Sequence, residues 1–310
     1  MNIVFMGTPE FSVPTLENLK KNNHEISLVV TQPDRPKGRG KKLSPSPVKI
    51  KAKSMGVEVF QPENINTSES IEKIKSYNPD VIVVIAYGQI LKEDVLNIPR
   101  FGCINVHASL LPKLRGAGPI NWAIINGHTK TGVTTMLMEK GLDSGDMILK
   151  NSIDIDDNIT AGELHDKLMY LGADLLIDTL NEIENNSIKA VKQEHDKATY
   201  APMLDKKTGE IQWNKEKEKI KNLVRGTNPW PSAYSYYKNK KFKIHEVQIT
   251  NDIYEGDYGE IIHVSKDGII IKAKNGSVII KNIQFPGKRA MDIKDFIKGN
   301  NIEKGIILGK

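Results

Sequence analysis

Five short, near-continuous apolar runs punctuate the opening third of the chain: Ile3 to Met6, Ser27 to Thr31, Val57 to Phe60, Val81 to Ala86 and Cys103 to His107. Between them stand stretches with helical character near Pro14 to Lys21, Val48 to Ser54 and Ile71 to Ser76. Runs this short and this apolar suit strands, and strands without a polar face need cover on both sides, the condition of parallel strands flanked by helices. The pattern therefore predicts an open, parallel α/β sheet. Thr160-Ala161-Gly162-Glu163 has the form of a capping box, opening a helix with Leu164, Leu168, Leu171, Leu175 and Ile183 on its apolar face. That helix is expected to close the first domain.

A chain of 310 residues is long for a single core, and its texture changes after Ser187. A polar stretch runs to about Pro202-Met203. Then come a basic helix (Lys215 to Val224) and short runs at Ser232 to Tyr237, Phe242 to Ile249, Gly259 to Val264, Ile269 to Ala273 and Val278 to Phe285. Lys266-Asp267-Gly268 and Lys274-Asn275-Gly276 carry hairpin turn chemistry, so a small antiparallel β-barrel of OB-fold type is expected. The expected division is a catalytic domain over 1–189, a linker over 190–206 and a second domain over 207–310.

Several classes are disfavoured. No run approaches the roughly 18 apolar residues of a membrane span, and the first residues read as a strand rather than a targeting segment. The single cysteine, Cys103, allows no internal disulfide and points to a reducing, cytoplasmic setting. The seven histidines form no close ligand pair, so no metal is expected. Neither a Gly-x-Gly-x-x-Gly nor a P-loop motif is present, which argues against a nicotinamide enzyme or a P-loop NTPase.

Net charge is +6, unevenly spread: Asp205 to Lys310 carry 21 Lys and Arg against 13 Asp and Glu. A second basic cluster, Arg35, Lys37, Arg39, Lys41, Lys42, Lys49, Lys51 and Lys53, occupies a window free of acids. Both are candidate polyanion contacts, and a solvated charged loop is the competing reading of the second.

Two stretches carry candidate chemistry. In Asn105-Val106-His107 the amide and imidazole stand two apart on a strand and share a face, at the end where open α/β sheets hold ligands. Gly141-Leu142-Asp143-Ser144-Gly145-Asp146 frames acids with glycines in a loop; spacing alone does not separate it from an ordinary turn.

Taken together, Asn105 to Pro112, Arg115-Gly116 with Pro119-Ile120, Thr131-Gly132-Val133-Thr134 and Gly141 to Met147 closely resemble the signature of the folate-dependent formyltransferases. Ala108 and Ser144 stand where many relatives carry Gly and Thr. The loop Thr31 to Leu43 and Asn228-Pro229-Trp230-Pro231 resemble the branch of that family acting on charged initiator tRNA. The resemblance implies an open Rossmann-like formyltransferase domain followed by the barrel, and a monomer is expected. It implies transfer of a formyl group from 10-formyltetrahydrofolate to the α-amine of methionyl-initiator tRNA. A non-catalytic RNA-binding protein, a related formyltransferase with another acceptor, and a hydrolase releasing formate from the same folate are the alternatives.

Residue roles also follow from the resemblance. His107 would take the amine proton, for which an unperturbed histidine pKa of about 6.5 is suited. Asn105 would donate to the developing oxyanion, and Asp143 would orient His107. Ser109, Leu110, Leu111, Pro112, Ile85, Ala86, Tyr87, Gly88, Glu139 and Leu142 would line the folate pocket. From the charge pattern, with that function in view, Arg35, Lys37, Arg39, Lys41 and Lys42 in the first domain and Lys206, Lys207, Lys215 and Lys219 beyond it are expected to contact tRNA. Pro33, Pro36, Pro45 and Pro47, with Gly38 and Gly40, predict a loop without regular structure that orders against the acceptor end, Arg39 at its tip.

Overall fold

The computed structural model describes residues 1–37, 40 and 42–309, Lys37 by its backbone alone. They group into two compact units, one of Met1–Pro119, Thr131–Ile153 and His165–Ala201, the other of Ile120–Lys130, Asp154–Leu164 and Pro202–Lys310.

In chain order the elements begin with β1 (Asn2–Gly7), α1 (Val13–Lys21), β2 (Glu25–Val30), β3 (Arg35–Lys37), β4 (Lys42–Ser44), α2 (Pro47–Ser54), β5 (Val59–Phe60) and α3 (Ser68–Lys75). They continue with β6 (Val81–Ile85), α4 (Glu93–Leu96), β7 (Cys103–His107), α5 (Pro119–Ile125), β8 (Lys130–Leu137), β9 (Met147–Asp154) and the long α6 (Ala161–Glu184). A seven-stranded sheet runs in the order β5-β2-β1-β6-β7-β8-β9. The first five strands pair in parallel, whereas β8 runs antiparallel to β7. The sheet is thus mostly parallel, and the chain order reverses direction at β1, the position where open α/β sheets form their ligand crevice.

Local chemistry sets the helix starts. Pro47 opens α2 behind Ser46, whose hydroxyl accepts from the Lys49 N–H at 3.0 Å, and Thr67 caps α3 by accepting from the Ser70 N–H at 3.2 Å. Caps of this kind contribute about 1 kcal/mol each. The expected capping box forms in full: Glu163 Oε2 accepts from the Thr160 N–H at 2.8 Å, and the Glu163 N–H donates back to Thr160 Oγ1 at 3.3 Å.

One expectation is overturned. The stretch read as lacking regular structure contains a ribbon, β3 paired antiparallel with β4 through Arg35↔Ser44, Pro36↔Leu43 and Lys37↔Lys42. In an antiparallel pair, alternate residues direct their N–H away from the partner, so a proline fits at such a position without breaking the ladder.

The second unit holds α7 (Lys217–Gly226), β10 (Ala233–Tyr237), β11 (Lys240–Thr250), β12 (Ile261–Ser265), β13 (Gly268–Ala273), β14 (Gly276–Gln284), β15 (Met291–Asp292) and α8 (Ile293–Phe296). Its strands pair antiparallel in the order β10-β11-β14-β13-β12, with β15 on β14. Trp213, Phe242, Ile244, Ile261, Ile271 and Ile280 share one apolar core. The register of β11 shifts on both sides of Glu246, the pattern of a bulge. Among the described residues no helix is long and apolar enough to cross a membrane.

Candidate active site

Strand β7 separates packing from chemistry by alternation. Val106 points to the face covered by α6, where a Cβ added to Gly172 would lie 2.9 Å from the Val106 side chain, so glycine allows this close approach. Asn105 and His107 take the opposite face. Asn105 is half-buried, and its side-chain amide makes no hydrogen bond among the described residues. It pairs in register with Val84 on β6 and Met136 on β8.

His107 is 6% exposed and touches two acceptors. Its Nε2 lies 3.0 Å from the Leu114 carbonyl oxygen and its Nδ1 lies 3.6 Å from Asp143 Oδ2. A carbonyl can only accept, so the neutral ring carries its hydrogen on Nε2 and presents the Nδ1 lone pair towards the carboxylate. A proton captured at Nδ1 would then sit between base and acid, with both ring N–H groups facing acceptors.

The loop after β8 brings Asp143 to this point. Asp143 has a φ of 48°, in the left-handed region, a conformation of order 1–3 kcal/mol in cost for a residue with a side chain. Its Oδ2 also accepts from the Gly116 N–H at 2.8 Å. Gly116 itself has a φ of 112°, and a Cβ there would meet the Ala201 carbonyl at 2.8 Å. Ser144 donates to Glu139 Oε1 at 2.6 Å, and a Cβ on Gly145 would overlap the Leu137 carbonyl. Backbone crowding therefore demands glycine at 116 and 145.

Two residues to which no role was assigned from the sequence complete the setting. The Gln193 amide donates to the carbonyls of Asp143 and Gly145, and its oxygen accepts from the buried Arg115 guanidinium. Arg115 stands inside the quoted signature, but Gln193 is a lone residue in a polar stretch with no motif to mark it.

The expected folate residues divide by burial. Ile85 and Tyr87 are core residues, so of that stretch Ala86 and Gly88 are the exposed ones. Leu111 packs with Met136 and Met147, whereas Leu142 is 63% exposed and Leu110 half-buried. The turn that follows β7 is pinned from within. Ser109 donates to the Lys113 carbonyl at 2.6 Å, while Thr134 donates to the Ser109 carbonyl at 2.7 Å and accepts from the Leu111 N–H at 3.2 Å. Lys150 donates to the Leu111 carbonyl at 2.5 Å, and burial holds its ammonium below the usual lysine range. Pro112 is half-buried and Glu139 exposed.

Comparison with known proteins gives this arrangement a family. The description "Formyl transferase" matches residues 1–180 and "Formyl transferase, C-terminal domain" matches 203–301. The methionyl-tRNA formyltransferase of Clostridium acetobutylicum is 55% identical over 309 residues, covering 99% of both chains. The chain belongs to the methionyl-tRNA formyltransferase family. The enzyme of that name from Clostridioides difficile is 53% identical over 309 residues, covering 100% of both. Two solved structures share the fold at low identity. An N-formyltransferase from Helicobacter canadensis has a TM-score of 0.68 at 20% identity, over 90% of this chain and 97% of that one. HypX from Aquifex aeolicus has a TM-score of 0.65 at 15% identity, over 98% of this chain and 50% of that one.

The basic residues expected to contact tRNA fall on both units. Arg35 is exposed and lies 3.5 Å from Glu63, and Lys42 is exposed on β4. Arg39 and Lys41 lie outside the described residues, as does the side chain of Lys37. At the base of the ribbon, Asp34 accepts from Gln61 at 2.8 Å and from Lys49 at 2.7 Å, and those two bonds hold its carboxyl below the usual range. Lys206, Lys207 and Lys215 are exposed, and Lys219 pairs with Glu216 at 2.7 Å.

Proposed function

We infer that this chain transfers the formyl group of 10-formyltetrahydrofolate to the α-amine of methionyl-initiator tRNA, with Asn105, His107 and Asp143 as its catalytic residues. The observation carrying this reading is the pairing of His107 Nδ1 with Asp143 Oδ2 at 3.6 Å on the strand that also carries the Asn105 amide, which has no partner among the described residues. An α-amine has a pKa of roughly 7.7 to 8.0 in peptides, so it must shed a proton to attack. His107 takes that proton at Nδ1, where Asp143 faces it, and gives it up to the folate nitrogen as the bond from that nitrogen to the formyl carbon breaks, so tetrahydrofolate leaves neutral and the imidazole is restored. Asn105 donates its amide N–H to the formyl oxygen as that oxygen gains charge, a contribution of about 3 to 4 kcal/mol for a donor of this type.

The folate fits the residues present. The half-buried Asn105 carboxamide, with no partner among the described residues, is available to an acceptor near the end of β7, and the exposed Ala86 and Gly88 with apolar surface at Leu110 and Leu142 suit a flat ring bearing polar edges. When bound, it supplies the activated formyl carbon. Arg35, Lys37, Arg39, Lys41 and Lys42, with Lys206, Lys207, Lys215 and Lys219, are assigned to tRNA phosphates, Lys219 least because Glu216 already holds it. We propose a cytoplasmic monomer as the working form of this chain.

The test is transfer of label from formyl-labelled folate to charged initiator tRNA, charged elongator tRNA and free methionine. Rapid labelling of initiator tRNA alone is the expected result. Free formate without acceptor labelling would favour the hydrolase, and tRNA binding without turnover would favour the RNA-binding protein.

A further inference from the structure

We propose that Gln193 and Arg115 are positioning residues for formyl transfer, Arg115 fixing the orientation of the Gln193 amide and Gln193 fixing the backbone that aims Asp143 at His107. The inference rests on the catalytic reading of Asp143 above and extends it to residues that touch no reactant.

The argument starts from donor and acceptor inventory. A guanidinium has only donors. Arg115 directs Nε and Nη2 at Gln193 Oε1, at 3.1 and 2.7 Å, and Nη2 also lies 3.2 Å from His195 Nδ1, which must accept. With its oxygen committed to the cation, the Gln193 amide can turn only its NH2 group towards the loop. That group donates to the Asp143 carbonyl and the Gly145 carbonyl, both at 2.8 Å. Arg115 therefore selects one of two nearly isosteric amide orientations, and the alternative would set an oxygen against two carbonyls.

Burial makes the arrangement stiff. Arg115 is 4% exposed and Gln193 5% exposed, and no carboxylate forms an ion pair with Arg115 among the described residues. A buried cation so placed depends on neutral acceptors, and it leaves the Asp143 carboxylate free for His107 and for the Gly116 N–H. The two ends of the clamp meet in adjacent residues: the Arg115 side chain steadies the main chain of the Asp143 loop through Gln193, and the Gly116 N–H binds the carboxylate directly. Asp143 holds a left-handed backbone that the loop alone does not favour, so two added hydrogen bonds across it decide where its carboxylate points.

The experiment is a double-mutant cycle on the full chain, with steady-state kinetics for both substrates and melting temperature for each variant. Gln193→Ala is expected to lower kcat at least 30-fold, with the folate KM within about threefold and the fold intact. In an Asp143→Asn background, the same change should lower kcat less than threefold further, because its effect passes through a carboxylate already removed. Arg115→Lys loses the fork that sets the amide and should fall between wild type and Gln193→Ala. Gln193→Glu keeps a partner for Arg115 but presents oxygen to both carbonyls, so it should not rescue. Rescue by Gln193→Glu, or equal losses from Gln193→Ala in both backgrounds, would overturn the inference. If Gln193→Ala proves too unstable to assay, the Arg115→Lys arm of the cycle decides by the same criterion. Near-normal turnover by Asp143→Asn alone would instead overturn the catalytic reading.

Discussion

The Nε2 of His107 donates to the carbonyl oxygen of Leu114 at 3.0 Å, which commits the neutral ring to one tautomer and leaves Nδ1 to face Asp143. Nitrogen NMR of labelled protein should show a protonated Nε2 and an unprotonated Nδ1 in the neutral state. His107→Ala and Asp143→Asn should each lower turnover 100-fold or more, with the melting transition retained. A neutral ring carrying its hydrogen on Nδ1 would contradict the assignment.

Asn105→Ala separates transition-state stabilisation from ground-state binding. The amide has no partner among the described residues, so its removal strands no buried group there and should scarcely alter stability. Turnover should fall by about 100- to 1,000-fold while the folate dissociation constant moves little. A change confined to KM would make Asn105 a binding residue.

Thr134→Val tests the pinning of the turn after β7. The fully buried hydroxyl serves the Ser109 carbonyl and the Leu111 N–H at once, and valine abandons both. A stability loss of about 1–3 kcal/mol is expected, together with a raised folate KM. An unchanged unfolding midpoint in urea would refute the claim that this hydroxyl holds the turn.

Cys103 should be inert in the native protein. It is buried at the start of β7, and burial pushes its thiol up to about 12. A chromogenic disulfide reagent at pH 8 should react slowly with native protein and stoichiometrically in denaturant. The sign for stability follows: the folded state keeps the thiol neutral, so its contribution is complete below the unfolded pKa of about 8.5 and is lost as pH rises from there towards 12. Fast native labelling would show that the start of the strand opens readily.

The reach of the sequence varied with how local each signal was. The strand Cys103–His107 was legible to its ends because Ile104 and Val106 alternate with Asn105 and His107 in the two-residue period of a strand. The capping box fixed the start of α6 because both partners lie within four residues. Strand β9 was not read, since Lys150, Asn151 and Ser152 interrupt its apolar character at an exposed edge of the sheet. The β3–β4 ribbon hid behind prolines and glycines that normally announce irregular chain. Gln193 was invisible for another reason: its meaning depends on Arg115 and Asp143, which lie 78 and 50 positions away and meet it only after folding.

The contact of Gly172 with Val106 gives β7 an insulating property. From Asn105 onward, odd positions face the proposed site and even positions face the helix, so perturbations on one side reach the other only by bending a strand held by neighbours on both edges. Saturation libraries would map this directly: variation at 105 should spread rates across molecules of similar melting temperature, and variation at 106 should spread melting temperatures across molecules of similar rate. Residue parity is the partition that lets chemistry on this strand change without refolding the domain beneath it.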